Sequence, residues 1–218
     1  METHQILRYT VIGSEILSFI VGLYFSNKKS VRFSKIFTIY LGILCVFEIT
    51  GICLLENKSW DLNAMLYKYL AFPFQFIFLF WYLSKNINIK RSQLLLFVSI
   101  MIYLISWVLE YEFISKQKHG WMSLSFTVAG LILIILIFTY FFKLIKSEAI
   151  LRFYDKQSFW ICLGTLIYYL GSFPFYGMLN LLYQKSPELH LIYFQIVLLL
   201  ATIMYLLFAA SFIWGKEK

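Results

Sequence analysis

What this sequence lacks is any polar stretch long enough to build a domain in water. Acidic and basic residues make up only 14% of the 218 positions, against about 25% in soluble domains, and no segment between apolar runs exceeds about 15 residues. The runs therefore leave no room between them for a nucleotide-binding, kinase or catalytic domain. Cysteine is scarce too: Cys45, Cys53 and Cys162 all fall in apolar runs without the spacing of a metal or redox pair, and read as small core residues. The three histidines, His4, His119 and His190, sit at or outside the ends of those runs. No Ser/His/Asp constellation can be assembled in their middles, and no helical HExxH spacing points to a metal. The last run holds no lysine, so a retinal Schiff base has no attachment point. These absences give no basis for an enzyme, a metal site or a cofactor.

What is present is apolar. Hydrophobic residues reach 61%, aromatic residues 21%, and the mean hydropathy is +0.77, the balance of an integral membrane protein rather than a soluble one. The formal charge of +8 then concerns topology and lipid, not nucleic acid. Seven runs can cross a hydrocarbon core, which takes about 20 helical residues: about 7–25, 34–55, 62–83, 93–110, 120–143, 158–183 and 189–214. They are continuous rather than alternating, which argues against a β-barrel. The fold class expected is all-α, a single polytopic domain of seven transmembrane helices spanning 1–218.

Positive charge is unevenly shared between the two sides. Thirteen Lys/Arg fall on the side of the first, third and fifth connections and the tail, and five on the side of the amino terminus, with Lys68 inside a helix. The positive-inside rule places the amino terminus outside and the carboxyl terminus in the cytoplasm. The first run has its stronger positive flank after it and no small-residue cleavage site, so it reads as a retained helix rather than a signal peptide. An internal echo links the second and sixth runs: Ile39, Leu41, Gly42 and Leu44 of IYLGILCVFEITG align with Ile161, Leu163, Gly164 and Leu166 of ICLGTLIYYLGSF. A parallel three-plus-one-plus-three pseudo-repeat of the kind found in transporters would produce this match.

Two opposite charges lie within the spans around Ile39–Leu83: Glu48 and Lys68. An ionisable residue inside a span is costly enough to mark a site. At about 1.5 Å per residue, Glu48, Lys68, Glu15 and Gln195 all lie about 9–12 Å below the outer surface. Tyr168, Tyr169, Ser172 and Asn180 add polar groups on the outer half of the sixth run. One reading is an outward-opening polar cavity in which Glu48, with Glu15, takes a cation, a hydrogen-bonding ligand or a proton. The other is a Glu48–Lys68 ion pair that joins two helices, with Lys68 snorkelling outward and Glu15 facing a neighbouring subunit or a crevice. Pro73 and Pro174 each remove a backbone donor within a span, freeing the carbonyls of Tyr69 and Leu170, and are hinge candidates. Gln75 can hydrogen-bond across helices. Trp60, Trp121 and Trp214 fit an interfacial belt.

Three segments carry a likeness. FEITG holds a glutamate late in helix two; LNAMLYKYLAFPFQFIFLFWYL opens helix three with Asn and Tyr before an aromatic-rich run; FWICLGTLIYYLGSF opens helix six with Phe-Trp and carries Tyr and a Gly-Ser step. In these the chain resembles the small seven-helix membrane proteins of Bacteroidetes, which are similar to the seven-helix sensory regions preceding some bacterial histidine kinases. The resemblance implies a sensory or regulatory module of a bacterial inner membrane, with Glu48 the residue to carry over. The chain departs from the kinase-linked form in having no output domain, and Lys68 has no counterpart in the pattern.

The expectation from sequence is a stand-alone membrane sensor or regulatory module. It binds a small ligand in its outer-half cavity and acts through a separate protein partner, with membrane lipid and an oligomer as further associations. The alternatives are a small-solute transporter and an accessory membrane protein of a larger system such as a defence operon.

Overall fold

A chain this apolar can satisfy its backbone in lipid only by forming helices or a closed barrel, and it forms helices. The computed structural model describes residues 2–28, 32–87, 92–114 and 122–215. Lys29, Lys90, Arg91, Lys116, Lys118, His119, Trp121, Lys216 and Lys218, which enter the charge count, the histidine set or the aromatic belt, lie outside the described residues. So does the side chain of Asn180.

Seven helices are long and apolar enough to cross a membrane, and among the described residues there is no strand. They are α1 (Glu2–Lys28), α2 (Arg32–Glu56), α3 (Trp60–Ile87), α4 (Ser92–Leu109), α5 (Ser123–Ile145), α6 (Gln157–Lys185) and α7 (Pro187–Trp214). A 3-10 segment, Glu148–Asp155, joins α5 to α6. Each helix overlaps one of the expected runs. The chain is a multi-pass membrane protein.

Helix α7 lies along both α6 and α1, α5 packs on α6, α3 and α4 pack on α5, and α2 sits between α1 and α3. Lipid tails are as apolar as leucine, so these contacts rest on close packing and on hydrogen bonds between helices rather than on a hydrophobic drive. The outward faces are apolar accordingly, as at Ile39, Val46, Ile105, Ile135 and Leu199. The interior is aromatic. Phe37 on α2 meets Phe208 and Phe212 on α7 at ring separations of 5.2 and 5.9 Å, and Tyr40 stacks on Phe78 of α3 at 3.9 Å. Phe76 brings α3 against Phe126 of α5 and Tyr169 of α6. Cys45 and Cys162 are buried, as expected of core residues, but Cys53 is exposed on the outer face of α2.

Helix α3 is not a uniform α-helix. Trp60–Leu66 and Phe72–Ile87 are α-helical, and Tyr67–Ala71 between them forms a π-helical turn in which the Phe72 N–H reaches back to the Tyr67 carbonyl. The widened turn stands immediately before Pro73, where the backbone loses a donor. A second π-helical turn, Glu110–Ile114, follows α4. Helix α6, in contrast, continues through Pro174 to Lys185.

Candidate functional site

The polar interior begins on α1. Glu15 is only 1% exposed, and neither of its carboxyl oxygens has a hydrogen-bond partner among the described residues. The Cys45 thiol of α2 and the Tyr205 hydroxyl of α7 flank it, and the Glu48 carboxylate lies within electrostatic reach; neither flanking group reaches hydrogen-bonding geometry. Ser18, one turn along the same face, is fully buried, and its hydroxyl is likewise without a partner. The expectation that Glu15 faces a neighbouring subunit or a crevice is therefore corrected: its spacing on α1 turns it inward, into the seam with α2 and α7.

Glu48 is half-buried on α2, and its Oε2 accepts a hydrogen bond of 2.9 Å from the Tyr67 hydroxyl. Gly51, one turn along α2, makes this approach feasible. A Cβ there would lie 2.7 Å from the Tyr67 hydroxyl and 3.1 Å from Asn63 Oδ1, so only glycine lets the start of α3 come this close.

Lys68 does not meet Glu48. Its ammonium lies 5.4 Å from the Tyr69 ring centre and 5.5 Å from that of Tyr111, and the residue borders a cavity of about 10 Å³ with Trp107, Met122, Ser125 and Phe126. The expected ion pair is thus corrected to a Tyr67–Glu48 hydrogen bond. Successive residues on a helix diverge by about 100°, so once Tyr67 faces α2, Lys68 turns toward α4 and α5. Tyr67, the neighbour of Lys68, reaches Glu48, so direction around the axis separates the two charges.

The remaining predicted residues divide. Tyr168 is buried on α6, within electrostatic reach of Glu48, and pairs with Tyr176 at 3.3 Å between hydroxyls. Tyr169, also buried, accepts a hydrogen bond of 3.1 Å from Gln75 of α3, the cross-helix contact expected of that glutamine. Ser172 is 1% exposed, and its hydroxyl has no partner among the described residues. Gln195 lies about 15 Å along α7 from Tyr205, outside the cluster, and meets His4 at 3.4 Å, linking α7 to the start of α1.

Sequence reasoning missed Glu110. This residue is 1% exposed, and it closes the open N-terminus of α5. Its Oε1 accepts from the Leu124 N–H at 2.8 Å, and its Oε2 accepts from the Ser125 N–H and hydroxyl, each at 2.7 Å. The first N–H groups of a helix need acceptors. Met122 at the cap position offers none, so a carboxylate from the π-helical turn after α4 supplies them, with a favourable interaction with the helix dipole. The one available signal was a cap position held by methionine opposite a glutamate at the end of the preceding run.

The arrangement can hold positive charge. Two carboxylates share a tyrosine-lined interior, with Arg8 of α1 within electrostatic reach of Glu48 but not of Glu15, and Lys68 is directed elsewhere. Among the described residues no group of three or more His, Cys, Asp or Glu gathers; the donors here are carboxyl, hydroxyl and phenol oxygens. Comparison with known proteins finds no matching family model, no matching curated protein and no matching solved structure.

Proposed function

We propose that this chain is a stand-alone membrane sensor or regulatory module that binds a small ligand at the Glu15–Glu48 cluster and acts through a separate protein partner. The observation that carries the reading is Glu15: a carboxyl group 1% exposed, inside a membrane helix, with both oxygens unpartnered among the described residues. Burying such a group is costly unless something satisfies it, and a ligand bearing a positive charge or hydrogen-bond donors does so. The reading places the protein in a bacterial inner membrane with the amino terminus outside, so that the cluster lies in the outer half and the basic loops, in the cytoplasm, meet the partner.

A transporter is the second reading, favoured by the π-helical turn beside Pro73 on α3, a point where the helix can change its bend next to the site. The pseudo-repeat adds nothing to it. Its paired glycines face different neighbours, Gly42 meeting Phe19 of α1 and Gly164 meeting Met204 and Leu207 of α7, and its paired isoleucines differ in burial, Ile39 being exposed and Ile161 buried.

The test is a thermal-shift screen of the purified full-length protein against small amines and inorganic cations, repeated with Glu15→Gln and Glu48→Gln. The reading expects stabilising compounds whose effect falls in both variants. Uptake of the same compounds by proteoliposomes identifies a transporter; stabilisation without uptake supports the sensor.

A further inference from the structure

The seam between α1, α2 and α7 has a fixed register. At one level Glu15 is flanked by Cys45 and Tyr205. Seven residues along, a Cβ on Gly22 would meet Thr38 Oγ1 at 3.0 Å and Phe212 Cζ at 2.9 Å. The intervals Glu15–Gly22, Thr38–Cys45 and Tyr205–Phe212 are all seven residues, about two turns or 10 Å. The three helices therefore stay in step, with α2 running opposite to the other two. Ser18 falls between these levels on the same stripe of α1, three residues from Glu15 and four from Gly22, and is itself fully buried. The stripe thus presents three unpartnered oxygens, Glu15 Oε1 and Oε2 and Ser18 Oγ, with the Tyr205 hydroxyl alongside.

We infer that this stripe is a site for a small monovalent metal cation of sodium size, held by the Glu15 carboxylate, the Ser18 hydroxyl and the Tyr205 hydroxyl. The inference rests on the reading of Glu15 as the ligand-facing group and names the class of ligand. Three observations select the class. The donors are oxygens, which suit hard cations. Glu15 and Ser18 are only 1% and 0% exposed, which argues for a bare ion over an organic ammonium. The donor set is also too small for calcium, which takes 6–8 oxygens, and Glu48 is held by Tyr67 and lies within electrostatic reach of Arg8, which leaves the Glu15 carboxylate to balance a single charge.

The experiment is the melting temperature of the purified full-length protein in sodium chloride and in N-methyl-D-glucamine chloride at equal ionic strength, over a range of pH. Wild type is expected to melt about 2–4 °C higher in sodium, the shift produced by a ligand at several times its dissociation constant in a chain of this length. The difference should be at least halved in Ser18→Ala, which keeps the fold if Glu15→Gln does not, and lost in Glu15→Gln. Equal melting in the two salts overturns the assignment. So does a sodium effect that survives both substitutions. Melting that follows pH but not sodium also overturns it, by identifying the neutralising charge as a proton. If sodium fails while organic amines still stabilise wild type and not Glu15→Gln, the cation assignment falls and the ligand site stands.

Discussion

The Tyr67 hydroxyl donates a hydrogen bond to Glu48 Oε2 at 2.9 Å, and this contact, not an ion pair, joins α2 to α3 at the polar cluster. It holds one carboxylate in place and leaves Glu15, the other, with its oxygens unpartnered among the described residues. Replacing Tyr67 with Phe removes the donor and keeps the ring. The expected cost is about 1 kcal/mol, the scale of side-chain hydrogen bonds between membrane helices, measured by reversible unfolding in mixed micelles.

Gly51→Ala should cost more than Tyr67→Phe. The added Cβ meets the Tyr67 hydroxyl at 2.7 Å, and moving that ring aside also disturbs Asn63, an overpacking defect of about 1–3 kcal/mol. Because the two sites touch, the double variant should lose less than the sum of the single losses. Strict additivity would show that Gly51 does not control the approach of Tyr67.

A double-mutant cycle on Glu48→Gln and Lys68→Ala should give a coupling within about 0.5 kcal/mol, as for groups without a shared contact. A coupling several times larger would restore the ion pair.

Glu110→Ala strips three hydrogen bonds from the start of α5 and should destabilise the protein by about 1–2 kcal/mol, the range of a lost helix cap. Glu110→Gln, which keeps acceptor capacity but loses the charge, should fall between wild type and alanine in the same unfolding assay.

Cys53 is exposed, whereas Cys45 and Cys162 are buried at 7% and 0%. Brief treatment of the folded protein with N-ethylmaleimide should yield a single adduct on Cys53 by mass spectrometry, and all three cysteines should react after denaturation. Early labelling of Cys162 would contradict the packing of α6.

The seven helices were legible because each is a long apolar run whose backbone has no alternative in lipid. The relative level of two polar groups was legible for the same reason: rise per residue is constant, and Glu15 and Glu48 lie within electrostatic reach of each other. Azimuth was not. Whether Tyr67 or Lys68 faces α2 depends on the rotation of α3 and on a π-helical turn beside Pro73 that adds a residue to the local winding, and neither shows in hydropathy. Gln195 was read at the level of the carboxylates, but Tyr205 is the α7 residue beside Glu15, and Gln195 stands about 15 Å nearer the start of α7, where it meets His4. Glu110 was read only as the last residue of the fourth run, because its role depends on donors that only the packing of α4 against α5 brings within reach.

The most direct test of the Glu15 site is chemical. A hydrophobic carbodiimide modifies carboxyl groups within membranes, and mass spectrometry of the full-length protein in vesicles locates each adduct. Compounds or ions that raise the melting temperature of the wild type should slow adduct formation at Glu15 and leave Glu110, which is engaged by the start of α5, unchanged. If the same stabilisers leave the rate at Glu15 unaltered and still stabilise Glu15→Gln, the buried carboxylate is not the binding group and the account is contradicted.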